Sequence, residues 1–239
     1  MKDNFRRNTI ILLVISLAVV LIPAALMEFP LGAPAVDAYT AQIIILGGIN
    51  AIMAISVNVI CGITGQLSLG QAGFQALGAY SVILLTSECG IPLPVSIILG
   101  GLIAAFFGFL IGFPTLKLEG DYLAIVTLAF GEIIRVVLVN LKGITGGPNG
   151  KQFSTVFTTS LDHGAAISYL SVIGSLVLII VLLQNFLRST YGRAILAVRE
   201  DPVAANSNGI GVFRYKMIGF VIASFIAGIG GALYAPFIG

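Results

Sequence analysis

The chain has 239 residues, 58% of them hydrophobic and only 9% charged, with a formal net charge of +2. A typical soluble domain is about 45–50% apolar and about 25% charged, so this composition cannot build a water-facing surface and its apolar surplus calls for a bilayer. The small positive balance is too weak to suggest a nucleic-acid partner.

Taken in chain order, the apolar stretches predict an all-α, polytopic transmembrane helix bundle of about seven spans. The first, 10–27, follows Lys2, Arg6 and Arg7. A cleaved signal peptide fits that pattern too, with small residues at Ala33-Pro34-Ala35; the length of the run favours an uncleaved helix. The charge-free stretch between Asp37 and Glu88 is too long for one span, and Gly62 and Gly65 divide it into 40–61 and 66–86. The remaining spans are 92–114, 122–141, 166–187 and 216–236, each near the 20 or so residues a crossing needs. Trp is absent, so an aromatic interface belt falls to Tyr and Phe.

Lys and Arg set the expected orientation. With the N-terminus in the cytoplasm, Lys2, Arg6, Arg7, Lys117, Arg188, Arg193, Arg199, Arg214 and Lys216 fall inside. Lys142 and Lys151 fall outside and Arg135 lies within a span, which accounts for all 12 basic residues. Residues 1–239 then form one transmembrane domain with two extramembrane segments. The outer one, 141–165, is rich in turn formers: Gly143, Gly146, Gly147, Pro148, Asn149 and Gly150. The cytoplasmic one, 188–216, carries the densest charge in the chain. No clear internal repeat is visible. Cys61 and Cys89 fall near opposite faces of the membrane, too far apart for a disulfide.

Three constellations carry candidate function. In the cytoplasmic segment, Asp201 is suited to cap free backbone N–H groups and Pro202 to the first helical position. Gly209 suits the left-handed position just past a helix end. The result is a helix of about two turns, too short to stand alone. With Arg199, Glu200, Ala204 and Ala205 it suggests a docking element for a cytoplasmic partner; a plain surface connector is the simpler alternative.

In the fifth span Glu132 and Arg135 stand at i, i+3 on one helix face, about 15 Å past Tyr122 at 1.5 Å per residue. Intramembrane charges usually face a bundle interior and mark a substrate path, although a pair can serve packing alone. Ser68, Gln71 and Gln75 share a predicted face of the third span, and Asn50 and Asn58 add polarity to the second. Such a stripe lines a path or supplies interhelical hydrogen bonds. Ala72 and Ala76 have a spacing that lets helices approach, as do Gly108 and Gly112 in the fourth span.

Other chemistry is missing from the sequence. Gly150-Lys151 ends a glycine-rich loop, but Thr145 replaces the first glycine of a phosphate-binding loop and Gln152 its Ser or Thr. His163 is the sole histidine, which excludes multi-histidine metal sites and a histidine-rich catalytic centre.

Four ordered motifs then resemble a known family. They are Gly62-Ile63-Thr64-Gly65-Gln66-Leu67-Ser68-Leu69-Gly70-Gln71-Ala72; Leu118 to Leu128 with Gly131-Glu132-Ile133-Ile134-Arg135; Thr145-Gly146-Gly147-Pro148-Asn149-Gly150; and Tyr191-Gly192-Arg193-Ala194 through Asp201 to Gly209-Ile210. Over about 44–236 the chain resembles permease subunits of branched-chain amino acid ABC importers, the LivM type. The resemblance implies no cofactor of the chain's own, with ATP bound by two separate ATP-binding subunits. It further implies a second permease subunit, an extracytoplasmic substrate-binding protein and residence in a prokaryotic inner membrane. Residues 200–209 are similar to that family's coupling helix, although Asn206-Ser207-Asn208 is more polar than a good helix former. Because the family continues through further membrane helices, the resemblance also implies a fragment or a truncated gene product. Rival expectations are an ABC permease for urea or short amides, an ATPase-independent secondary transporter or channel built on the broken helix at 62–65, and a structural membrane scaffold.

Overall fold

The computed structural model describes residues 38–118, 120–151 and 164–238, and among them every regular element is helical. Helix α1 (Ala38–Val57) runs on through one π-helical turn, Asn58–Ile63. An extended stretch leads to α2 (Gln71–Ser87), followed by α3 (Leu93–Thr115) and α4 (Asp121–Asn140). A short turn, α5 (Lys142–Thr145), precedes α6 (Gly164–Arg188). Two shorter helices, α7 (Thr190–Glu200) and α8 (Pro202–Ser207), join it to α9 (Val212–Ile238).

Among the described residues, five helical stretches are long and apolar enough to cross a bilayer: Tyr39–Ile63, Leu93–Thr115, Asp121–Asn140, Ser168–Arg188 and Val212–Ile238. They fall on the predicted spans to within a few residues. The expected 10–27 span lies outside the described residues. The expected 66–86 span needs correction, because its helix begins only at Gln71. With 17 residues, α2 is about 26 Å long at 1.5 Å per residue, short of the roughly 30 Å hydrocarbon core. The extended stretch before it supplies the remaining length.

The core sits on α9. Within its most apolar window 67% of residues are buried, against 17% for α6 and 22% for α4. Its most extensive packing is on α3 and α2, with α1 on a further side. Glycine makes that closeness possible. A Cβ on Gly78 of α2 would overlap the Gly228 carbonyl of α9, and one on Gly231 would overlap the Gln75 carbonyl. The Gly108–Gly112 pair of α3 packs in the same way, under Ser224 and Met217 of α9. In a bilayer such van der Waals contact replaces the hydrophobic effect as the force between helices. Phe74 meets Phe220 edge to face at 5.8 Å and fills the centre of this interface.

The two ends of the bundle differ. At one end lie Lys117, α7 with Arg193 and Arg199, and α8. At the other, Lys151 donates a charge-assisted hydrogen bond to Glu88 just past α2. That bond and the lysine's charge lower the Glu88 carboxyl below its ordinary value. Cys61 and Cys89 are both free thiols.

Candidate functional site

The site grows from the break between α1 and α2. Gly65 takes φ +67, a left-handed conformation that ends the helix without a side-chain clash. Thr64 helps stop it, donating its hydroxyl to the Ile60 carbonyl at 2.6 Å. Beyond it exposure alternates residue by residue. Gln66 and Ser68 are each 3% exposed, whereas Leu67 and Leu69 are 48% and 56% exposed. The pattern is that of an extended strand turned inside out, polar groups inward and apolar groups outward. Irregular backbone at membrane depth is tolerated only where protein or a watery cavity surrounds it.

The inward groups tie the break to the core. Gln66 Nε2 donates to the Lys216 carbonyl of α9 at 3.0 Å. The Ser56 hydroxyl lies within hydrogen-bond distance of Gln71 Oε1 (2.9 Å) and of the Ala223 carbonyl (2.8 Å). Gln66 Oε1, Ser68 Oγ and Gln71 Nε2 stay buried with no partner among the described residues. On the other side, the Leu69 N–H donates to Thr127 Oγ1 of α4 at 3.1 Å, and Thr127 passes a hydrogen bond to the Ala124 carbonyl. A Cβ on Gly70 would come within 2.5 Å of the Thr127 carbonyl oxygen, and one on Gly73 within 3.0 Å of Gly131 Cα.

That crossing corrects the small-residue expectation. Gly70 and Gly73 make the close approach of α2 to α4, while Ala72 and Ala76 open a groove beside it. Leu69, Gly73, Leu128, Gly131, Glu132 and Arg135 complete the lining of this groove of about 210 Å³. Arg135 Nε donates to Glu132 Oε2 at 2.8 Å, with side chains 65% and 59% exposed. The pair therefore stands in an open groove rather than inside this chain's bundle.

The other polar candidates do not share one surface. Ser68 precedes α2 instead of lying on its helical face; it and Gln71 are buried, and Gln75 is half-buried. Asn50 and Asn58 are exposed on α1 and its π-helical turn. A spacing of three and four residues fits a helix, but Gln66 and Ser68 also fit a period of two, and that is the period burial follows between Gly65 and Gly70.

At the basic end, Ser189 caps α7 by accepting from the Gly192 N–H at 3.3 Å. Ala194, Ile195 and Val198 are buried on one face of α7, while Tyr191, Arg193, Arg199 and Glu200 are exposed. Asp201 caps α8, accepting from Val203 N at 2.8 Å and Ala204 N at 3.0 Å. Pro202 opens that helix and Gly209, at φ +79, follows its end. Ala205 packs inward at 5% exposure, whereas Val203 is 75% exposed, with Ala204 exposed beside it. Sequence reading missed α7, whose signal was the Ser189 cap before apolar residues at 194, 195 and 198.

The two regions touch. Arg199 lies against Gly65, where an added Cβ would meet Arg199 Cγ at 3.0 Å. A continuous path of contacts thus runs from α8 and α7 to the break, and through Leu69 and Thr127 to the α2–α4 groove. Among the described residues no cluster of His, Cys, Asp and Glu could hold a metal ion.

A family model described as the branched-chain amino acid transport system permease component matches residues 39–239. The chain is 38% identical over 221 residues to the high-affinity branched-chain amino acid transport system permease protein LivM of Escherichia coli, covering 82% of this chain and 52% of that protein. Its similarity to the Salmonella typhimurium LivM is also 38%, over 212 residues, covering 78% of this chain and 50% of the relative. A more distant relative is the nucleoside ABC transporter permease protein NupC of Lactococcus lactis, 25% identical over 186 residues, 72% of this chain and 59% of that one. The chain spans about half the length of the two LivM relatives it matches. No solved structure gives a significant match.

Proposed function

The chain belongs to the branched-chain amino acid transport system permease family, and from that premise we propose that it serves as a membrane-spanning subunit of an ATP-driven importer for branched-chain amino acids. One of two ATP-binding subunits docks on α7 and α8 in the cytoplasm, through Arg199, Glu200, Asp201, Pro202, Ala204, Ala205 and Gly209, and the other docks on the second permease subunit. A second permease subunit completes the path, and an extracytoplasmic binding protein supplies the substrate. The protein sits in the inner membrane with its N-terminus in the cytoplasm, the orientation that gathers most of its lysines and arginines on the inner side. Hydrolysis of ATP takes place on the partner subunits.

The observation that carries this reading is the contact path from α8 to the groove. A short capped helix cannot hold itself in place, so its position is set by Ala205 and by whatever binds its exposed face. Closure of the ATP-binding subunits moves α8 and α7, and the Arg199 stem presses on the unwound backbone at Gly65. That backbone holds α9 through Gln66 and α4 through Leu69, so its displacement changes access to the α2–α4 groove. ATP can shift the equilibrium only because its subunits bind the two states of the permease with different affinity. In this scheme Gln66 and Gln71 hold the break to the core, with Ser68 buried beside them and Gln75 a turn further along α2. Glu132 and Arg135 face the path, whereas Asn50 and Asn58 are exposed on α1 and its π-helical turn, apart from the groove.

The test is gentle purification of the tagged protein from its native membrane, with mass spectrometry of what accompanies it. ATP-binding subunits and a second permease are expected, and Ala205→Glu or Gly209→Arg should remove the ATP-binding subunits while leaving the permease pair. Substituted protein that retains them would refute the docking role of α8. A second reading, an ATPase-independent transporter, draws on the broken helix with buried unpartnered polar atoms at Gln66, Ser68 and Gln71. It predicts uptake that survives ATP depletion and collapses with an ion gradient.

A further inference from the structure

We infer that the α2–α4 groove is a binding site for the zwitterionic head of an aliphatic α-amino acid, with Glu132 taking the ammonium and Arg135 the carboxylate. This rests on the importer reading above and assigns its substrate contact within the membrane. Glu132 lies ten residues past Tyr122, about 15 Å along α4 and so near the middle of a roughly 30 Å hydrocarbon core. A charged pair left open to lipid at that depth is strongly unfavourable, so its exposure here indicates a polar occupant.

The pair is only partly used. Arg135 Nε donates to Glu132 Oε2, while both Nη groups and Glu132 Oε1 have no partner among the described residues. One donor fork and one acceptor oxygen therefore stand side by side, the complement of a carboxylate and an ammonium on one carbon. Around them Leu69, Ala72, Ala76 and Leu128 form an apolar wall for a branched aliphatic chain. The groove, about 210 Å³, is smaller than the roughly 300–1,000 Å³ of sites for drug-sized ligands, a size suited to a few heavy atoms. A nucleoside or urea carries neither an ammonium nor a carboxylate, so the free Glu132 oxygen and the Arg135 fork favour an amino acid over either.

The experiment uses the purified membrane complex with its accompanying subunits, without binding protein, in a Cys61→Ser, Cys89→Ser background. Ala72→Cys and Leu128→Cys, one on each wall, are labelled with a water-soluble methanethiosulfonate. Leucine should slow labelling at both positions. The analogue without an ammonium (4-methylpentanoate) and the one without a carboxylate (3-methylbutylamine) should each need about tenfold higher concentration, the cost of one lost charged hydrogen bond. Uridine and urea should give no protection. Glu132→Gln should erase the preference for leucine over the acid, and Arg135→Gln the preference over the amine, with Arg135→Lys retaining the latter.

No labelling at either cysteine would mean that the groove faces lipid, and would overturn the site. So would labelling that leucine leaves unchanged, or protection indifferent to the missing ammonium and carboxylate. The analogue series on the intact pair decides even where a glutamine variant fails to fold. Protection in a preparation devoid of ATP-binding subunits would support the site and remove the ATP-driven reading; those subunits present with no protection would do the reverse.

Discussion

The α9 hub and the α2–α4 groove use glycine for opposite ends. Around α9, Gly78, Gly228 and Gly231 bring backbones into contact and leave no space, and two-thirds of the helix's apolar window is buried. At the α2–α4 crossing, Gly70 and Gly73 touch α4 at one point, and the helices diverge from there around an open charged pair. The hub stores stability in packing. The groove spends little on its own packing, because Glu132 and Arg135 are largely exposed on this chain. Stability and function should therefore be separable by mutation.

The largest expected effect breaks the hub. Gly78→Ile places atoms on the Gly228 carbonyl, and the overlap should cost at least about 3 kcal/mol, enough to unfold a marginally stable protein. Fluorescence-detected size-exclusion chromatography should show the folded peak lost. An unchanged peak would mean that α2 and α9 are not in this contact.

Next come single changes of the pair. Glu132→Gln and Arg135→Gln should each abolish most leucine uptake in cells, yet lower the thermal unfolding midpoint less than the hub substitution does, because the pair packs against little of this chain. Exchanging the two residues should recover part of the uptake if their mutual attraction matters. A large loss of thermal stability in the single variants would move the pair into the packing category with the hub.

Asp201→Ala is smaller in energy. Losing two cap hydrogen bonds costs about 1 kcal/mol and loosens a helix of six residues. ATP hydrolysis by the complex should lose much of its response to substrate while the unfolding midpoint of the membrane bundle stays in place.

The smallest effect lies at the opposite end. Lys151 lowers the Glu88 carboxyl, so this pair stabilises the fold above the ordinary glutamate pKa, about 4.3, and the contribution fades as pH falls through the lowered value. The slight difference in unfolding midpoint between wild type and Glu88→Gln at neutral pH should shrink as the pH is taken below the ordinary glutamate value and disappear once Glu88 is protonated in both states.

Much of this contrast was legible in the sequence wherever a local rule applied. The stretch from Asp37 to Glu88 was too long for one helix, and Gly65 marks the break. Asp201, Pro202 and Gly209 wrote the start and end of α8 within one short segment. What was hidden depends on partners remote in the chain. Ala72 and Ala76 carry the same small-residue signal as Gly73, and only the position of Gly131 decides which of them touches α4. Ser68 fitted a helix by spacing until the extended backbone set it beside Gln66 on the inner face. The meeting of Arg199 with Gly65, more than a hundred residues apart, had no sequence signature. Helix α7 was readable but its charges masked it, because Arg193, Arg199 and Glu200 in a charge-rich segment suggest a solvated loop before they suggest an amphipathic helix.

In the proposed coupling, movement at α7 and α8 reaches the groove through Gly65. The most direct measurement is the labelling rate of Leu128→Cys in the purified complex, with nucleotide absent and with ATP and vanadate trapping the closed ATP-binding subunits. The rate should change between these states, and Asp201→Ala should shrink the change while the ATP-binding subunits remain attached. An identical rate in both states, in a complex that still hydrolyses ATP, would contradict it.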